Sequence, residues 1–113
     1  MNYLIGHLVG DFLLQNDWQA VNKKRHTLPC LVHVALYTMS IAVFTGWGFW
    51  PLLIVAATHF AQDRTSIVSA WMRLIGQRAF AQPPLAPWSC IIVDQTWHLL
   101  VLYLISTYLG ASP

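Results

Sequence analysis

The stretch 28-LPCLVHVALYTMSIAVFT-45 decides the fold. It contains no Lys, Arg, Asp or Glu, and His33 is its one group that titrates near neutral pH. A membrane-spanning helix needs about 20 mostly apolar residues, and this run supplies them. Residues 89–108 read the same way, interrupted by Asp94 and His98. Two weaker stretches flank the first run. Residues 50–69 are apolar as far as Thr58, then turn polar through His59, Gln62, Asp63 and Arg64. Residues 3–18 are short and carry His7 and Asp11, which suits a tilted span, a re-entrant segment or an interfacial helix. The expectation is an all-α, integral membrane four-helix bundle. It forms a single transmembrane domain over residues 1–113, with spans near 3–18, 28–45, 50–69 and 89–108.

Composition supports this class. The 113 residues are 57% hydrophobic and 9% charged, against about 25% charged in an ordinary soluble domain. So few charges cannot coat the large surface-to-volume ratio of a small soluble fold. A net charge of +2 and two Cys argue against a nucleic-acid partner and against a disulfide scaffold. Residues 3–18 lack the basic start and the cleavage site of a signal peptide. No stretch is left for a sizeable domain outside the membrane, so function is expected within the bundle or on its loops.

Basic residues set the orientation. Lys23, Lys24 and Arg25 lie between the first two spans, and Arg64, Arg73 and Arg78 lie at and after the end of the third. All six fall on one side of a four-span arrangement. That side is expected to be cytoplasmic, with both termini outside. Trp47, Trp50, Trp88 and Tyr108 sit near span ends, as an aromatic belt would. The Pro-rich run 82–87 reads as a structured turn.

The acids are unusual. All four are Asp, and three have a His four residues away: His7 with Asp11, His59 with Asp63, Asp94 with His98. A spacing of four places both side chains on one helix face. Counted from the cytoplasmic span ends, these six groups and His33 lie roughly 8 to 17 Å deep at 1.5 Å per residue. They therefore share one slab of the membrane. Mixed imidazole and carboxylate donors suit Zn, with Mn or Fe as alternatives. Seven donors exceed the need of one tetrahedral ion, so one or two ions are expected. The candidate metal ligands are His7, Asp11, His33, His59, Asp63, Asp94 and His98, with Asp11, Asp63 and Asp94 also candidate catalytic carboxylates. The same three pairs could also form a buried, metal-free polar network between helices. Intramembrane ionisable groups are nevertheless costly, about 2.5–3.5 kcal/mol each or more, and mark function by default. The recurrence of His-x-x-x-Asp on the first and third spans suggests two related helix hairpins facing a shared site.

The string 7-HLVGDFLLQ-15, followed by Trp18, Lys23, His33, His59-Phe60-x-x-Asp63 and Asp94-Gln95-x-x-His98-Leu99-Leu100, carries a resemblance. It resembles a family of small polytopic membrane proteins of bacteria and phages catalogued as a domain of unknown function. The Gly-Asp-Phe and Asp-Gln-x-x-His strings are its specific parts. The resemblance implies that Gln15, Trp18, Lys23 and Gln95 belong to the family pattern, and that the location is the bacterial inner (cytoplasmic) membrane. More loosely, His-x-x-x-Asp helices in a small bundle are similar to inner-membrane metal-dependent hydrolases, a likeness at the level of fold.

Other residues have modest readings. Gln15, Gln62 and Gln95 flank the cluster and read equally as ligand contacts or as interhelical hydrogen bonds. Gly6 and Gly10 form a small-xxx-small packing face. Asp17 reads as a helix cap, His26 as a solvated loop residue, and Cys30 and Cys90 as reduced, buried thiols. Arg64 and Lys23, with Gln15 and Gln95, are the candidate substrate-binding residues. Arg64 follows Asp63 at headgroup depth, where a guanidinium suits a phosphate.

The resulting expectation is a metal-dependent hydrolase acting on a membrane lipid or lipid-linked phosphoester. The alternatives are a divalent-metal or proton transport subunit, which at this size would need a homo-oligomer, and a non-catalytic accessory protein with a structural His/Asp core.

Overall fold

The computed structural model describes residues 2–109. Every regular element among these residues is a helix, without a strand among them. The elements are α1 (Asn2–Leu8), a π-helical turn (Val9–Leu13), α2 (Asp17–Asn22), α3 (Thr27–Thr45), α4 (Phe49–Arg64), α5 (Ile67–Leu74) and α6 (Trp88–Tyr108). Central α3 packs against α1, α2 and α4, and contacts of α6 with α4 and α1 close the ring.

Local chemistry fixes these boundaries. Pro29 lies in the first turn of α3, where its missing N–H leaves no bond unmade. Gly46, at φ +70°, ends that helix in the left-handed conformation. At 1.5 Å per residue α3 is about 28 Å long, close to the roughly 30 Å of a hydrocarbon core. Of the described helices, α3 and α6 are long and apolar enough to cross a membrane.

The two weaker stretches depart from single helices. Helix α1 ends at Leu8, and the π turn follows, with Leu14 N–H donating to Val9 O at 3.0 Å. Residues 15–16 are irregular, and Asn16 starts α2 by accepting from Gln19 N–H at 2.9 Å. Asn16, not Asp17, is thus the cap. Polar Gln15-Asn16-Asp17 offers the backbone a capping geometry that competes with helix continuation. Likewise α4 stops at Arg64 instead of running to residue 69, and Thr65 turns extended. The Lys24 ammonium takes up the freed carbonyls there, donating to Gln62 O, Asp63 O and Thr65 O at 3.2 Å each.

Gly6 and Gly10 bring α1 and the π turn onto α3. A Cβ at Gly6 would lie 3.1 Å from Ile41 Cα, and one at Gly10 would lie 2.8 Å from Tyr37 Cδ2. The apolar core is Tyr37, Ile41, Trp47, Val55, Leu102 and Ile105. Trp47 is therefore a core residue and not part of an aromatic belt, whereas Trp50, Trp88 and Tyr108 are exposed. Among the described residues, as many polar or ionisable side chains are buried as hydrophobic ones, while large apolar side chains cover the outside.

Candidate metal centre

Each ring helix contributes to one interior cluster. His33 comes from α3, His59 and Asp63 from α4, His98 from α6, and Asp11 from the π turn after α1. All five are at most 4% exposed. The π turn adds a residue to the backbone ring, a distortion frequent at functional sites. It carries Asp11 inward beside α3.

The distances define a compact set of donors. His33 Nε2 lies 3.1 Å from Asp11 Oδ1 and 3.0 Å from Asp63 Oδ2. His59 Nε2 lies 3.4 Å and 2.9 Å from the same two oxygens. The two Nε2 atoms are 3.0 Å apart. A tetrahedral ion with bonds of about 2.0–2.1 Å holds its ligand atoms about 3.3 Å from one another. These five separations match the edges of such a polyhedron. Asp11, His33, His59 and Asp63 can thus hold a metal ion. A second group, Asp63, Asp94 and His98, meets the same criterion. In it His98 Nε2 lies 3.3 Å from Asp63 Oδ1 and 3.3 Å from Asp94 Oδ2.

Hydrogen bonding leaves the cluster incomplete. Both Asp11 oxygens, Asp63 Oδ1, Asp94 Oδ1, His98 Nε2 and His33 Nδ1 are buried without a hydrogen-bond partner. Such a group costs about 1–3 kcal/mol, more when charged. The charge of the cluster depends on its imidazoles. Among the three carboxylates, Asp63 pairs with the Lys23 ammonium, its Oδ2 lying 3.3 Å from Nζ, and Asp11 and Asp94 border the same cleft as Lys23. With neutral imidazoles, which metal ligation requires, two negative charges remain. One divalent cation cancels them.

The supporting shell is specific. Gln95 Oε1 can only accept, so His7 Nε2–H donates to it at 2.6 Å. His7 Nδ1 then accepts from the Tyr37 hydroxyl at 2.7 Å. Both His7 nitrogens are occupied, and its ring lies beside the donor groups, Nδ1 being 3.8 Å from Asp11 Oδ2. The two His-x-x-x-Asp strings are accordingly used differently: His59 faces the cluster donors, and His7 braces them. Tyr37 also stacks on His59, with ring centroids 3.7 Å apart. Sequence reasoning missed Tyr37, although its position four residues after His33 puts it on the same face of α3.

The flanking residues divide. Lys23 Nζ donates to Gln15 Oε1 at 2.9 Å, and Gln15 Nε2 donates back to Asp11 O at 3.4 Å. Lys23, Gln15, Asp94 and Gln95 border a cleft of about 300 Å³ that reaches Asp11. Arg64 points elsewhere, donating to Lys24 O at 2.8 Å and Arg25 O at 3.5 Å. Together with Lys24 it latches the 23–25 turn to the end of α4. Cys30 is buried in α3 and belongs to neither donor group. His26 is exposed at the start of α3.

No curated protein and no solved structure matches this chain. Over residues 1–112 it matches the family described as Protein of unknown function (DUF3307), and it belongs to that family.

Proposed function

We propose that this protein is a membrane-embedded, metal-dependent hydrolase acting on a membrane-associated phosphoester or lipid. The observation that carries the reading is the donor polyhedron of His33 Nε2, His59 Nε2, Asp11 Oδ1 and Asp63 Oδ2, with edges of 2.9–3.4 Å and no hydrogen-bond partner for either Asp11 oxygen. Imidazole with carboxylate suits Zn²⁺, with Mn²⁺ or Fe²⁺ as alternatives. Such an ion supplies a Lewis acid and a water of lowered pKa.

Membrane embedding is supported by the outward apolar surface. Most of α6 faces outward, although it is apolar enough to span. Soluble monomers rarely expose apolar surface on that scale. The proposed arrangement keeps four membrane segments, with α1 and α4 as the shorter members. The contact of Arg64 with the 23–25 turn puts four basic residues on one face, which is taken as cytoplasmic.

What borders the cluster supports the proposed substrate class. Lys23 lines the cleft at Asp11 and Asp94, where an ammonium suits a phosphate. Beside it, an apolar cleft of about 340 Å³ runs between α4, α5 and α6, walled by Trp71, Trp97 and Val101. Val68 borders both clefts, so one amphiphile can present a headgroup to Lys23 and a chain to the tryptophans.

The test has two stages. Protein purified in mild detergent is measured for metal per chain, alongside His59→Ala. The metal-loaded protein is then assayed for phosphate release from lipid phosphates. Bound metal that His59→Ala removes, with metal-dependent turnover, supports the reading. Metal at trace level under Zn²⁺, Mn²⁺ and Fe²⁺ supply would end it.

A further inference from the structure

We infer that the site holds two divalent ions, with Asp63 bridging them, and that the ion on the Asp94 side is the exposed one that meets the ligand. This rests on the metal reading above and adds the number of ions, their inequality and the residue that joins them.

Asp63 is the pivot. Its two oxygens face different partners: Oδ2 meets His33 and His59, and Oδ1 meets His98. The side chain is 1% exposed, and Oδ1 has no hydrogen-bond partner. A carboxylate that turns one oxygen to each of two donor groups has the form of a bridging ligand. Paired ions lie about 3.5–4 Å apart, a separation one carboxylate can span.

The two positions differ in what completes them. Asp11, His33, His59 and Asp63 supply four buried protein donors, the count of a closed tetrahedral site. Asp63, Asp94 and His98 supply three, the count that leaves a coordination place for water or substrate. That second group is also the accessible one. The Asp94 side chain is 21% exposed and borders the cleft shared with Lys23. His98 Nε2 and Asp94 Oδ1, in the second group, are both buried without a hydrogen bond, as donors awaiting a cation would be.

Charge points to the ligand. One divalent ion neutralises the three carboxylates and Lys23, so a second leaves two positive charges. An anion with about two negative charges, such as a phosphate monoester, would restore neutrality, and the cleft at Asp94 is where it would enter. The affinities should therefore be unequal, with tight binding at the four-donor position and weaker, anion-assisted binding at the three-donor position.

The full chain in detergent is titrated with Mn²⁺ alone, and bound metal per chain is counted. The same samples are examined by electron paramagnetic resonance. The expected result is two Mn²⁺ per chain in two affinity classes, at least tenfold apart, with the exchange-coupled spectrum of a bridged pair. Inorganic phosphate should tighten the weaker class. Asp94→Asn, a near-isosteric change at the half-exposed edge, should bind one Mn²⁺ and show an uncoupled spectrum. A single Mn²⁺ in the unmutated protein, unchanged by Asp94→Asn, overturns the pair and leaves the hydrolase reading standing. Two ions without coupling overturn the bridge. No bound metal overturns both readings. If Asp94→Asn does not fold, the spectrum and stoichiometry of the unmutated protein still decide.

Discussion

Tyr37 divides the inside of this small bundle into two regions built from the same helices. On one side Ile41, Trp47, Val55, Leu102 and Ile105 form a packed apolar core. On the other, Asp11, His33, His59, Asp63 and His98 form an equally buried core of charges and imidazoles. The change takes one helical turn on each helix: His33 to Tyr37 to Ile41, His59 back to Val55, and His98 on to Leu102. Spacing by four keeps each series on one face, so a single inward stripe carries both regions. The apolar half is complete as it stands, because its atoms need only close contact. The polar half holds carboxylate oxygens with no hydrogen-bond partner, and with neutral imidazoles its three carboxylates and Lys23 would leave two negative charges. One region is finished by the chain alone, and the other can hold a cation.

The sharpest way to break this contrast is metal removal. A ligand that binds only the folded state stabilises it by about 4 kcal/mol when free ligand is 1,000 times Kd. Chelation should therefore lower the unfolding free energy of the unmutated protein by about that amount, and Zn²⁺ or Mn²⁺ should restore it. Asp63→Asn should abolish the metal-dependent increment, since Asp63 touches both donor groups. Identical denaturation curves with chelator and with metal would show that the polar half is self-sufficient after all.

The apolar half should respond in the opposite way. Leu102→Ala should cost about 2–4 kcal/mol, as large-to-small core changes do. Its metal stoichiometry should stay at the unmutated value, because Leu102 lies one turn beyond His98 and belongs to neither donor group. Loss of metal in Leu102→Ala would mean that the two regions are one cooperative unit.

Much of this contrast can be read in the sequence, for a physical reason. Pairs at a spacing of four keep their mutual geometry wherever a helix forms, so His59 with Asp63 and Asp94 with His98 could be joined before any fold was known. Depth counted along the expected spans then brought residues from different helices to one level, and the structure unites five of the seven named donors in the buried cluster, with Asp94 at its edge. His7 could not be placed, because its role depends on Gln95 and Tyr37, which approach from other helices. Arg64 could not be placed for a related reason. Adjacency to Asp63 suggested the same direction, but neighbours on a helix point about 100° apart, and Arg64 turns to the 23–25 turn. The ends of α1 and α4 were overrun because apolar content signals a helix and says little about where a side chain will claim its last carbonyls.

Gly10 tests how closely the π turn governs the polar half. Ala would favour a regular helix by about 1 kcal/mol over Gly. Its Cβ, however, would lie 2.8 Å from Tyr37 Cδ2 and 3.1 Å from Tyr37 Cα. Overpacking of that kind costs about 1–3 kcal/mol, and the contact with backbone leaves little room to relax. Gly10→Ala should therefore be destabilising by up to about 2 kcal/mol. It should also weaken metal binding several-fold, since Asp11 is the next residue. A stabilised variant with unchanged metal affinity would show that the turn is loose.

The smallest effect is expected at the latch between the basic turn and α4. Lys24 donates to carbonyls of residues 62, 63 and 65, and Arg64 donates to those of residues 24 and 25. These bonds are partly exposed, and water can replace them, so each arm should contribute only about 0.5–1 kcal/mol. The two arms hold the same junction from opposite sides, so their effects should not add. In a double-mutant cycle of Lys24→Gln and Arg64→Gln, the pair should cost less than the singles together. Both variants should keep full metal stoichiometry, because neither side chain reaches a donor atom of the cluster. A metal loss in Arg64→Gln would instead give that guanidinium the site role that its position beside Asp63 first suggested, and would move the border of the polar region out to the 23–25 turn.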